Sequence, residues 1–161
     1  MGAMSDTQPH LVDLDVQHTA VVVGRVPMGE IADFFDRSFG LIASTLAADG
    51  VTVSGPAFAK YRTAPTDVAE LEVGFPVAEA ITATGDVTPS TLPGGQAATL
   101  VHAGGYDALG DSWTRLFAWA VETGFVPAGP FWEVYVTEPS PDMDPADLRT
   151  DLYLPGLTRP D

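Results

Sequence analysis

The chain repeats itself, and that constrains its fold more than any other feature. Gly50 and Gly124 each close an apolar, helix-spaced stretch, and each is followed five residues later by Gly-Pro. Gly55-Pro56-Ala57-Phe58-Ala59-Lys60-Tyr61 lies over Gly129-Pro130-Phe131-Trp132-Glu133-Val134-Tyr135. Self-similarity of this kind marks two supersecondary units joined in tandem.

The elements follow from local pattern. The β-branched run 18–26 predicts a strand. Pro27-Met28-Gly29-Glu30 opens a helix whose stripe is Ile31, Phe34, Phe35, Phe39, Ile42 and Leu46, and Gly50 stops it. Strands are expected at 57–62 and 68–77, with the turn Ala64-Pro65-Thr66-Asp67 between them. Residues 79–95, rich in Thr, Gly and Pro, read as the connection between halves. The second half repeats the order. A strand at 96–103 and Gly104-Gly105-Tyr106-Asp107 lead into a helix with the stripe Leu109, Trp113, Leu116, Phe117 and Ala120. Asp107 is its expected N-cap. Strands at 131–137 and 148–154 follow, the last ended by Pro155-Gly156, as the first half ends on Pro76.

The expected fold is therefore α+β. Duplicated β-α-β-β units with pseudo-two-fold symmetry form antiparallel sheets, with two helices on one side and a ligand groove on the other. The domain is expected over 9–157. Residues 1–8, with two methionines around Gly-Ala, read as a tag remnant and disordered N-terminus.

The side-chain inventory narrows the chemistry. There is no cysteine, which removes disulfides, thiolate zinc sites and a cysteine nucleophile. Twenty-two acidic residues against seven basic ones give a net charge of −15. Such a surface repels phosphate, so direct nucleic-acid binding is not expected, and it concentrates cations. The same acidity also serves solubility alone. No apolar run is long enough to span a bilayer, and no signal peptide is visible, so a cytoplasmic protein is expected. His10, His18 and His102 lack metal-ligand spacing and read as structural or surface residues. Asp142, Asp144 and Asp147 do not complete a calcium loop. Gly104-Gly105 reads as a tight strand-to-helix turn, since it is not a P-loop. No metal site and no cofactor are expected.

The most informative run is Phe131-Trp132-Glu133-Val134-Tyr135-Val136. Alternation puts Phe131, Glu133 and Tyr135 on one face. Val134, Val136, Leu152 and Leu154 suit the helix side, which leaves Glu133, Tyr135 and Tyr153 sharing the groove. A strand glutamate either points to water or stands among these aromatics. In the second case it needs a partner or a raised pKa. Trp113, Phe117, Phe34 and Phe35 read as core. Trp119, on the flank of its stripe, either packs or borders the groove.

Gly105-Tyr106, then Trp113, Leu116 and Trp119, then Glu133-x-Tyr135, and finally Thr150-Asp151-Leu152-Tyr153-Leu154-Pro155 resemble the GyrI-like small-molecule-binding domain. That domain also forms the effector-binding part of multidrug-sensing activators. The resemblance covers roughly residues 9–157. It implies a groove for bulky, lipophilic, often cationic or aromatic compounds, anchored by Glu133. Tyr153, Tyr106, Tyr135, Tyr61 and Trp119 would line it, and Ala59 stands where the other half carries Glu133. With few residues ahead of the first strand, a stand-alone binder of drugs or toxins is expected rather than a DNA-binding regulator. Two alternatives come with the resemblance. One is a hydrolase of cyclopropane-containing toxins, with Glu133 and Tyr135 catalytic. The other is a DNA gyrase inhibitor acting by protein contact.

Overall fold

The computed structural model describes residues 8–62, 66–105, 108–137, 143–144 and 147–158. They form two compact units, Asp15–Gly94 and a second made of residues 1–14 with 95–161. Each unit is a set of antiparallel strands with one helix against it, so the fold class is α+β.

The first unit contains β2 (Gln17–Pro27), a 3-10 turn (Met28–Glu30), α1 (Ile31–Asp49), β3 (Phe58–Tyr61), β4 (Val68–Pro76) and β5 (Thr88–Leu92). Its strand order is β3-β4-β2-β5. The second contains β1 (His10–Leu14), β6 (Gly95–Ala103), α2 (Leu109–Thr123), β7 (Phe125–Pro127), β8 (Phe131–Tyr135) and β9 (Arg149–Thr158). Its order is β1-β6-β9-β8, with β7 also pairing β9. The duplication is thus visible twice, in the element sequence and in the strand order.

The pairing also shows an exchange. β1 runs directly into β2 along the chain but pairs with β6, from His10↔Thr99 to Leu14↔Gly95. β5 runs directly into β6 but pairs with β2, from Gln17↔Leu92 to Val21↔Thr88. Each repeat therefore lends its leading strand to the other unit. Neither exchanged strand was expected from the sequence. β1 is short, and β5 carries Pro89, which cannot donate to a ladder and is tolerated at an edge.

Both helices end as the sequence requires. Gly50 and Gly124 adopt left-handed backbone, with φ of 67° and 79°, and their N–H groups return to carbonyls of the last turn. α1 buries Phe34, Ser38, Ile42 and Leu46, one stripe at helical spacing. Phe35 and Phe39 extend it toward Phe75 on β4, with edge-to-face rings 5.8 Å and 5.7 Å apart. Gly74 on β4 allows β2 to come close, because a Cβ there would overlap the Ala20 carbonyl oxygen. In the second unit Leu116 and Ala120 of α2 close over Ala98, Leu100, Leu152, Leu154 and Phe125.

Two boundaries in the second half differ from expectation, the strand expected at 131–137 ending at Tyr135. β9 does not stop at Pro155 but continues to Thr158, because β7 supplies partners at Phe125↔Thr158, Val126↔Leu157 and Pro127↔Gly156. The expected N-cap Asp107, the lining residue Tyr106 and most of the 139–146 loop lie outside the described residues. No helix among the described residues is long and apolar enough to cross a membrane.

Candidate functional site

The register of β8 decides which side chains meet. Glu133 is the cross-strand partner of Leu152, Tyr135 of Thr150, and Trp132 of Tyr153. Directly opposed residues share a face. Glu133 and Tyr135 therefore stand on the face of Leu152 and Leu154, the one α2 covers. Tyr153 stands on the other, stacked on Trp132 with centroids 5.6 Å apart. This corrects the expectation that Glu133, Tyr135 and Tyr153 share one face away from the helices. That reading assumed Val134 and Val136 must join the leucines. Instead Val134 pairs with half-buried Asp151, and Val136 lies exposed beyond the strand.

Glu133 is only 5% exposed. Trp113 Nε1, one turn into α2, donates to Oε1 over 2.8 Å, and the Tyr135 hydroxyl donates to Oε2 over 2.6 Å. Burial pushes the Glu133 pKa up. The Tyr135 and Trp113 bonds, and the His102 ring charge, pull against that rise without cancelling it. Trp113 also meets Phe131 and Phe117 at 5.0 Å and 6.0 Å, and these two rings are edge-to-face at 5.9 Å. The carboxylate thus lies beneath an aromatic cluster that reaches solvent at Phe117.

A second buried glutamate shows what is unusual here. Glu72 on β4, 6% exposed, is fully compensated. It accepts from the Ser90 hydroxyl at 2.6 Å and from Arg62 at 3.1 Å, and Lys60 Nζ lies 3.6 Å away. Among the described residues no lysine or arginine pairs with Glu133. An acid taken out of water and given only neutral donors has its charged form disfavoured, in keeping with the raised pKa.

His102 on β6 is buried on the same face, through its partner Thr150. Its Nε2 donates to the Gly105 carbonyl over 2.8 Å, and Nδ1 and Ser112 Oγ are hydrogen-bonded at 2.6 Å.

Tyr61 is buried on β3 opposite Leu71, in the first unit. Trp119 packs against the α2 core cluster, the packing half of its two readings. Tyr153 has its phenol pKa raised by burial, then by Asp151. Sequence reasoning placed Trp113 in the core and missed its donor role. The available signal was that a buried indole N–H needs an acceptor. Thr150 stood in the motif that carries the family resemblance without a role of its own, and Ser112 gave no signal. No group of His, Asp or Glu among the described residues is arranged to hold a metal ion.

The second unit thus combines a buried acid with neutral donors and a cluster of aromatic rings. The chain belongs to the GyrI-like small molecule binding domain family, whose model matches residues 7–156. No curated protein matches it. Among solved structures, the C-terminal domain of EcmrR superposes with a TM-score of 0.78 at 20% identity, covering 94% of this chain and 98% of that one. In the EcmrR–DNA complex the TM-score is 0.82 at 19% identity, and this chain spans 58% of the EcmrR chain. A hydrolase from Listeria innocua matches at 0.65 and 17% identity, over 94% of this chain and 92% of that one. SAV2435 bound to tetraphenylphosphonium matches at 0.62 and 13% identity, over 92% and 93%. At these identities the likeness is one of fold.

Proposed function

We propose that this domain binds bulky lipophilic organic cations, as in drug or toxin capture, with Glu133 as the charge partner. Trp113, Phe117, Phe131 and Tyr135 form the aromatic wall. The observation that carries the reading is the buried Glu133 carboxylate, held by two neutral donors where Glu72 has two cations. A delocalised cation offers what Trp113 and Tyr135 do not, a full opposite charge with little hydration to lose. It reaches the acid by displacing one of these donors and then stacks on the rings they leave. The tetraphenylphosphonium held by SAV2435 is a cation of this kind, and the net charge of −15 draws cations toward the surface.

The test is calorimetric titration of tetraphenylphosphonium into wild type and Glu133→Gln. Glutamine keeps the shape and removes the charge. Affinity is expected to fall at least tenfold, while a neutral analogue such as tetraphenylmethane derivatised for solubility loses little. Equal cation affinity in both proteins would remove Glu133 from the site.

One observation favours a second reading. Tyr135 and Glu133 form a 2.6 Å pair, and the acid carries a raised pKa, the arrangement a general base needs. In that reading Glu133 activates water against a strained cyclopropane substrate while Tyr135 polarises the substrate carbonyl. Mass spectrometry of a cyclopropane-bearing alkylating compound incubated with the protein separates the two. Ring-opened product that disappears in Glu133→Gln supports catalysis, and unchanged compound despite saturable binding rejects it. The gyrase alternative is tested by a supercoiling assay with saturating protein.

A further inference from the structure

The α2-covered face of the second unit carries one polar group that neither the fold nor the proposed anchor uses. Thr150 is fully buried, and its hydroxyl has no hydrogen-bond partner. Its register places it in a single row across three strands, with Tyr135 of β8 on one side and His102 of β6 on the other. The neighbouring row is Glu133, Leu152 and Leu100. Thr150 is therefore diagonal to Glu133, a separation of roughly 7–8 Å in such a ladder.

The groups around it cannot serve it. Both His102 nitrogens are engaged, by Gly105 and Ser112, and the Tyr135 hydroxyl is directed to Glu133. Thr99, also buried, shows the usual solution, donating to the Leu152 carbonyl over 2.8 Å. Buried hydroxyls are retained unpaired at a cost in stability, and valine would fit the same strand position without it. Tyr135 joins the two polar points: its hydroxyl lies on Glu133, and it stands beside Thr150 in the ladder. A ligand that displaces Tyr135 uncovers both.

We infer that Thr150 is a specificity-determining second contact, so that the preferred ligand is an organic cation with a neutral hydrogen-bonding group a few bonds from its charge. This rests on Glu133 being the cation anchor, and it goes beyond it by stating what distinguishes a preferred cation from a merely lipophilic one.

The test uses two probes of nearly equal shape, ethyltriphenylphosphonium and (2-hydroxyethyl)triphenylphosphonium, with wild type and Thr150→Val. Wild type is expected to bind the hydroxyethyl compound roughly fivefold more tightly, the worth of one net hydrogen bond. Thr150→Val should bind the two alike while keeping wild-type affinity for the ethyl compound. It should also melt at the same temperature as wild type or higher. Equal binding of both probes by wild type overturns the inference and leaves the Glu133 anchor standing. So does a preference that survives in Thr150→Val. A melting temperature lowered by several degrees in the variant shows the hydroxyl to be engaged in the fold itself, and overturns it as well. Failure of wild type to bind either cation overturns this inference together with the proposed function.

Discussion

Trp113 on α2 and Glu133 on β8 are joined by an indole N–H to carboxylate bond of 2.8 Å. The bond holds the indole over the acid. Trp113→Phe keeps the ring and removes the donor. The Glu133 pKa is then expected to rise further above the ordinary 4.5, because one of the two bonds opposing its burial is gone. Carboxyl-carbon NMR titration measures this. An unmoved titration midpoint would show that the indole only packs.

The same acid sets a pH dependence of stability. Its folded pKa is raised above 4.5, so the native state holds the proton to higher pH than the unfolded chain. The contribution is fully present below the unfolded value and is lost as pH rises through the folded one. Glu133→Gln lacks this loss. At pH 7 the variant is expected to be at least as heat-stable as wild type, and wild type should gain on it as pH falls toward 4.5. Melting curves of both proteins across that range give the sign directly, and wild type losing ground on acidification would contradict it.

Cation binding should show the opposite sense. It needs the carboxylate, so affinity for tetraphenylphosphonium is expected to decline on acidification, beginning at higher pH than an ordinary glutamate would give. Glu133→Gln should have a flat profile. A pH-independent affinity in wild type would mean that the charge is not used.

In the first unit the Glu72 cluster spans a curled sheet. β3 and β5 stand at opposite ends of the order β3-β4-β2-β5, which would separate them by roughly 14 Å if flat. Yet Lys60 Nζ on β3 donates to the Thr91 carbonyl on β5 over 2.9 Å. The sheet must curl over this face, with Glu72 inside the curl. Glu72→Leu strands buried Lys60 without its counter-charge and is expected to cost about 3–5 kcal/mol, measured by denaturant unfolding. A cost under about 1 kcal/mol would show that the pair is bathed in solvent.

Backbone proximity makes a separate prediction. Gly74→Ala would drive a methyl into the Ala20 carbonyl of the neighbouring strand. It should cost on the order of 3 kcal/mol, while Gly40→Ala, which meets nothing, should be neutral or slightly stabilising.

The sequence made some of this legible and not the rest, for physical reasons. Helix stripes repeat over several turns, and Gly50 and Gly124 end them by backbone geometry that few other residues reach, so both helices stood out. The internal repeat correctly set Glu133 against Ala59. Strand faces did not stand out, because alternation gives two sets without saying which one meets a helix. Only the pairing of Glu133 with Leu152 settles that. Apolar character misled at Val134 and Val136, since both faces of β8 carry large side chains. β1 and β5 escaped because edge strands need little apolar content, and the extension of β9 past Pro155 depends on β7, a partner no local pattern announces.

The exchange of leading strands has a consequence for synthesis. As the polypeptide leaves the ribosome, residues 10–14 emerge well ahead of the strand they lie beside, which spans 95–103. They must wait, unmatched, while the whole stretch between is made. A messenger truncated before that point would yield a product in which residues 10–14 have nowhere to settle.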